Sequence, residues 1–141
     1  MTTLEEIKKI RSSLEAKEIG AWTPDQLSRA MTKLALLNMA LGEMVVDAHG
    51  EMMDKETQRK VGMAQLELEL SQDHSMARAR TMAEAKSFEL REQENRAVYQ
   101  YKLLQTAYRD TESLVSVLQS RLRQLGNELW EQQNNLEDGD K

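Results

Sequence analysis

Apolar residues recur every three or four positions along two long stretches of this chain. The first repeat begins at Leu27 and extends through Met52, and the second, less regular in its early turns, extends from Met76 to Leu129. Such spacing places the apolar side chains on one face of an α-helix. Between the repeats lies the polar segment SQDHS, 71–75, whose residue types favour turns and helix caps.

A short helix is predicted before the first repeat, at about residues 3–19. Thr3 and Glu6 have the spacing of a capping box, in which each side chain satisfies a backbone amide at the start of the helix. Gly20 follows where a helix C-terminus often needs a residue with positive φ.

The segment WTPDQL, 22–27, predicts the start of the next helix. Thr23 can serve as its N-cap and Gln26 as the partner in a second capping box. Trp22 before the cap and Leu27 after it have the spacing of a hydrophobic staple, so Trp22 is interpreted as a core anchor.

The apolar pattern of the first repeat continues to about Leu70, so the helical stretches at 24–70 and at 76 to about 124 have similar lengths of 47 and 49 residues. This match predicts an all-α fold, a long antiparallel helical hairpin. An arm at about 24–70, about 70 Å long at 1.5 Å per residue, would turn at 71–75 and pack against a long helix at about 76–135. The alternative is one straight helix that buries its apolar face only against another chain. We expect a single coiled-coil-like domain, residues 1–136, and an acidic disordered tail, 137–141. The last leucines of the long helix would lie beside the first helix: Leu122, Leu125 and Leu129.

A two-helix layer leaves apolar surface uncovered, so we expect the protein to form a homo-oligomer. Leu36, Leu37 and Met44 add apolar surface outside the main repeat, which is typical of a helix buried on several sides. Asn38 lies on the repeat itself. There it either fixes register or oligomer state, as buried asparagines do in coiled coils, or contacts water at an edge. These four residues are the predicted oligomer interface.

Composition and motifs argue against several classes of function. The chain has no cysteine, which excludes disulfides and thiol catalysis. His49 and His74 are isolated, and no phosphate-binding loop, nucleophile elbow or metal motif is present. We therefore expect no enzyme activity, no catalytic residue, no metal, no cofactor and no small-molecule substrate.

The apolar stretches are too short for a membrane protein. The longest, LALLNMALGEMVV at 34–46, is well below the roughly 20 residues that a membrane-spanning helix requires. The first residues, MTTLEEIKK, lack the apolar core of a secretory signal. We expect a cytoplasmic protein without a membrane partner.

The net charge of −5 argues against a general nucleic-acid binder, since phosphate contacts need a local excess of basic residues. Local basic groups nevertheless occur on the first arm and near the far end of the second: Lys55, Arg59, Lys60, Arg121 and Arg123. The hairpin predicts that Lys86 and Arg91 face the first group. One interpretation is a surface that contacts successive phosphates of a nucleic acid. The other is a solubilising face with ion pairs such as Glu56 with Lys60.

Two segments resemble the UvsY-type recombination mediators of tailed phages. They are KETQRKVGMAQLELELS at 55–71 and YQYKLLQTAYRDTESLVSVLQSRLRQL at 99–125. The resemblance rests on Arg-Lys-Val at 59–61 before a polar turn and on Ser-Arg at 120–121 in the C-terminal helix, and it covers about half the chain.

The resemblance implies an oligomeric helical protein that helps load a recombinase onto single-stranded DNA against a single-strand binding protein. One departure matters, because Ala64 and Leu66 stand where the family has a basic pair. Our leading hypothesis from the sequence is a phage accessory protein in DNA recombination or replication. The alternative is a coiled-coil module that binds proteins only, as an assembly factor or an inhibitor of a host enzyme.

Overall fold

A computed structural model describes residues 2–16 and 21–139, and within them the chain forms four α-helices and no strand. Helix α1 spans Thr3–Ala16, α2 spans Pro24–Leu70, α3 spans Met76–Lys86 and α4 spans Phe88–Gly139. The predicted all-α class and helical hairpin are confirmed. The predicted end of the first helix at 17–19 and its cap at Gly20 lie outside the described residues, as do Asp140 and Lys141. Residues 137–139 are helical where a disordered tail was predicted.

Helix α2 has the predicted bounds, and the hydrogen bonds at its ends explain them. The Thr23 amide donates to Gln26 Oε1 at 3.1 Å, and the Gln26 amide donates to Thr23 Oγ1 at 3.2 Å, which is the predicted capping box. At the other end, the amides of Asp73 and His74 donate to the Leu70 carbonyl at 3.3 and 3.1 Å. Residues 71–75 therefore form the predicted turn.

Helix α1 begins at the predicted Thr3, but its capping box lies one residue earlier than predicted. The Thr2 amide donates to Glu5 Oε2 at 2.9 Å, and the Glu5 amide donates to Thr2 Oγ1 at 3.2 Å. The predicted capping box of Thr3 with Glu6 is therefore wrong by one position. The sequence TTLEE contains the Thr-x-x-Glu pattern twice in overlapping registers, so the local sequence fits both.

The second long helix is interrupted at Ser87, which the sequence analysis did not predict. Ser87 has φ −86° and ψ 10°, and its hydroxyl donates to the Glu84 carbonyl at 2.9 Å. The Arg91 guanidinium donates to the same carbonyl. In an unbroken helix that oxygen would accept the amide of residue 88, so the two side chains replace a backbone bond and bend the chain.

The chain divides into two compact units, and the first combines Met1–Gly42 with Ala107–Lys141. It contains α1, the start of α2 and the later part of α4. Its buried residues recur at intervals of seven within each helix, as in coiled coils: Ile7 and Leu14, then Leu27, Leu34 and Leu41, then Thr111 and Leu118. The polar Thr111 is satisfied within α4, because its hydroxyl donates to the Ala107 carbonyl at 2.7 Å.

The second unit, Glu43–Thr106, is the part of the hairpin that contains the turn. Its buried positions are mostly small: Ala48, Ala79, Ala83, Ser87, Ala97 and Leu104. Small side chains let α2 approach the returning helices closely. At Gly62 a Cβ atom would lie 2.6 Å from Leu90 Cδ1, so this position has no room for a side chain unless Leu90 moves.

Pairing between the arms of the second unit departs from the predicted register. Near the turn, Arg80 pairs with Glu67 at 3.8 Å, close to the predicted alignment. Further along, Gly62 lies against Leu90 and Arg59 pairs with Glu94. From the first of these pairs to the second, α2 advances five residues and the returning chain ten. The interruption at Ser87 lies within this interval. Because the pairing shifts by five residues across the interval, the predicted alignment of Arg59 with Lys86 and Arg91 is wrong.

Candidate functional site

Arg59, a candidate contact to nucleic acid, joins two helices of the second unit. Its Nε donates to Glu94 Oε2, and the two side chains are only 26% and 20% exposed. Its Nη1 also lies 4.0 Å from Met63 Sδ. A guanidinium held in this way contributes to packing between α2 and α4 and is not a freely available cation.

Lys60, the neighbouring candidate, forms an exposed ion pair within α2. Its Nζ lies 2.8 Å from Glu56 Oε1. The hydrogen bond from Lys60, followed by its positive charge, lowers the pKa of the Glu56 carboxyl. Lys55, the third member of this group, is half-buried. The arrangement agrees better with the solubilising interpretation than with a phosphate-binding one, because the charges of Arg59 and Lys60 are already balanced.

Arg121 and Arg123 belong to the first unit, so the five candidate residues do not form one cluster within a unit. Arg123 is exposed, and neither arginine forms an ion pair with another described residue. The Arg121 Nε is buried and has no hydrogen-bond partner among the described residues. Among the candidates, Arg59 and Lys60 form ion pairs, whereas Arg121, Arg123 and Lys55 form none with another described residue. In the second unit, Lys86 and Arg91 are exposed.

The predicted oligomer interface is only partly exposed. Leu36 is 63% exposed, whereas Leu37, Asn38 and Met44 are half-buried. Asn38 Oδ1 is buried without a hydrogen-bond partner among the described residues. The interpretation in which Asn38 contacts water at an edge therefore does not fit this buried oxygen.

Trp22 lines an open groove of about 310 Å³ between α1 and the start of α2. The side chain is half-buried, as expected for a staple beside the fully buried Leu27. Arg29 and Lys33 also line the groove, but Arg29 pairs with Asp25 at 3.2 Å. The Trp22 Nε1 is buried without a partner among the described residues. Nothing else at this groove indicates a ligand.

The last turns of α4 expose three apolar side chains, and the sequence analysis predicted packing for one of them, Leu129. Leu129, Trp130 and Leu136 are 56%, 64% and 73% exposed. Leu122 and Leu125, by contrast, are half-buried, so the predicted packing of the last leucines is wrong for Leu129. The sequence does contain a signal for this exposure: after Leu125, polar and acidic residues occupy most positions around the apolar ones.

The described residues offer no other recognised site. They contain no group of three or more potential metal ligands and no helix with the length and apolarity of a membrane span. No protein-family model, curated protein or solved structure matches the chain. The candidate surfaces are therefore compared on their own geometry.

Proposed function

We propose that the protein is a non-enzymatic, cytoplasmic protein-binding module that docks onto a partner through the exposed last turns of α4. The exposure of Leu129, Trp130 and Leu136 in the last turns of α4 is the observation that carries the proposal. Large aromatic side chains are frequent anchors of protein interfaces, and groups of exposed apolar residues mark interaction sites. Such a module would act as an assembly factor or as an inhibitor of an enzyme.

The chemistry of this segment describes the partner surface. Leu129 and Leu136 are seven residues apart, so they lie on the same face of α4 and can enter one groove as successive anchors. Acidic residues surround them: Glu128, Glu131 and Glu137. The complementary partner has an apolar groove with a basic rim, since opposite charges at a rim favour encounter and correct orientation.

Replacing Trp130 and Leu136 together with alanine is expected to abolish partner binding without unfolding the protein. Both side chains are mostly exposed, so their loss removes little buried contact from the chain itself. Affinity capture from the source cells would compare the retained proteins, and circular dichroism would check the helix content.

The matched control is Val117→Ala, which trims an apolar side chain that is 49% exposed on the same helix. The control should retain the same proteins as the natural sequence. Capture of the same proteins by the Trp130 and Leu136 variant would contradict the proposal.

A second candidate function is accessory work on single-stranded DNA, with a recombinase or single-strand binding protein as the other partner. Its support is the resemblance to phage recombination mediators at 120–121, together with the uncompensated charges of Arg121 and Arg123. As a phage protein of this kind, it would work in the host cytoplasm.

We expect any binding to a labelled single-stranded oligonucleotide to depend on the first unit. Replacing Arg121 and Arg123 with glutamine should weaken it more than the same change at Arg59 and Lys60, whose charges are already paired. Each double variant removes two positive charges, so the comparison is matched in net charge. Fluorescence anisotropy at low and high salt would measure the affinity, which should fall as salt rises. Absence of binding at low salt would remove this candidate.

A further inference from the structure

A second apolar stripe runs along the exposed side of α2 within the second unit. At 3.6 residues per turn, its seven members fall within an arc of about 80° on the helix surface. All seven are exposed: Val46, Gly50, Met53, Thr57, Val61, Ala64 and Leu68. Val46 and Leu68, at the two ends, are 70% and 69% exposed. The buried face of α2, which includes Ala48, does not overlap this stripe.

The stripe is symmetric about Thr57. On each side of Thr57 the next members follow after four, three and four residues, which is a two-fold arrangement along a single helix. If a second copy lies antiparallel with its Thr57 beside this one, Val46 meets the partner's Leu68 and Met53 meets the partner's Val61. A surface that matches itself in this way is what a two-fold interface requires.

The small residues of the stripe also match across this arrangement. Gly50 would lie opposite the partner's Ala64, so the two backbones can approach closely there. A Cβ atom built at Gly50 would meet no other atom within 4 Å, so the fold of the single chain does not require a glycine at this exposed position. Glycine inside a helix costs about 1 kcal/mol relative to alanine, and close packing of a second helix would offset that cost.

The charges beside the stripe are compatible with the antiparallel orientation. Its first half is flanked on one edge by Glu43, Asp47 and Asp54, whereas the second half is flanked by Lys60 and by Glu67, which already pairs with Arg80. In a two-fold antiparallel pair the same edge of the two helices meets, so the acidic half of one chain lies against the nearly neutral half of the other.

We propose that a second copy of this chain docks antiparallel on this stripe, with the two-fold axis at Thr57. The interface lies in the second unit and leaves the last turns of α4 free, so it does not depend on the proposed partner-binding function. It also gives the expected homo-oligomer an interface different from the one predicted around Leu36–Met44.

Light scattering of the purified protein should give twice the chain mass of 16.2 kDa. Gly50→Glu places a charged side chain at the closest part of the interface and should reduce the mass to that of one chain. The matched control is Gly126→Glu, because Gly126 is also exposed and open on all sides. The control should stay dimeric, and circular dichroism should show the same helix content for both variants. A wild-type protein that is monomeric at every concentration tested would overturn the proposal.

Single cysteines test the orientation, since the chain has none of its own. Thr57→Cys should crosslink to itself with a short bifunctional maleimide. Val46→Cys should not, because the two copies of residue 46 lie about 33 Å apart along the axis at 1.5 Å per residue. A mixture of Val46→Cys and Leu68→Cys proteins should crosslink to each other. Self-crosslinking of Val46→Cys as well as Thr57→Cys would indicate a parallel dimer and overturn the proposal.

Discussion

Replacing Leu118 with alanine is expected to lower the free energy of unfolding by about 2–5 kcal/mol. Leu118 is 0% exposed and belongs to the heptad series that fills the core of the first unit. The substitution removes buried apolar atoms and leaves a cavity that rigid helices can close only in part. Urea denaturation followed by circular dichroism would measure the change.

The adjacent residue supplies the control for this prediction. Val117 is 49% exposed, so Val117→Ala should cost less than about 1 kcal/mol, although it changes the same helix one position away. The expected difference in unfolding free energy arises because the two residues occupy different faces of the helix, and not because they differ in helix propensity. Equal losses from the two substitutions would show that Leu118 is not a core position.

The helical core is predictable because its signal repeats many times along the chain. Leu27, Leu34 and Leu41 were placed on one face by spacing alone, and all three are fully buried. The ends of α2 were also predictable, since a capping box and a polar turn are local signals that involve few residues. The repeated apolar spacing over several helical turns and the local capping signals together predict most of the fold.

The bend at Ser87 has no comparable sequence signal. A serine in a helix can point to solvent or bond back to a carbonyl three or four residues earlier, and the sequence does not distinguish these states. Here the bond to Glu84 is made, and the Arg91 side chain reinforces it. The interruption lies in the interval where the pairing of the two arms shifts, so an alignment counted from the turn is incorrect beyond it.

The candidate site was less predictable than the fold for a related reason. Whether a basic residue is available to a ligand depends on acids that are distant in sequence. Glu56 lies four residues from Lys60, and that ion pair was predicted from helix geometry. Glu94 lies 35 residues from Arg59, and its position depends on the register that the bend alters. The exposure of Trp130 likewise depends on where the packing against α4 stops, and the mixed polar pattern after Leu125 is the one local indication of that point.

The ion pair between Arg59 and Glu94 yields the second large effect. Arg59→Gln is expected to lower the free energy of unfolding by about 1–3 kcal/mol, because it leaves the Glu94 carboxylate partly buried without its partner. Lys60→Gln makes the same charge change one residue away. It should cost about 0–1 kcal/mol, since Lys60 is 64% exposed and water replaces its contact with Glu56.

A double-mutant cycle would separate the interaction from the loss of charge. Adding Glu94→Gln to Arg59→Gln should recover part of the lost stability, because the unpaired carboxylate is then removed. Equal urea midpoints for Arg59→Gln and Lys60→Gln would contradict the structural role of Arg59. The same measurement decides how DNA-binding data must be interpreted. If Arg59→Gln loosens the contact between α2 and α4, a weaker affinity for DNA in that variant reports altered packing and not a lost contact to phosphate.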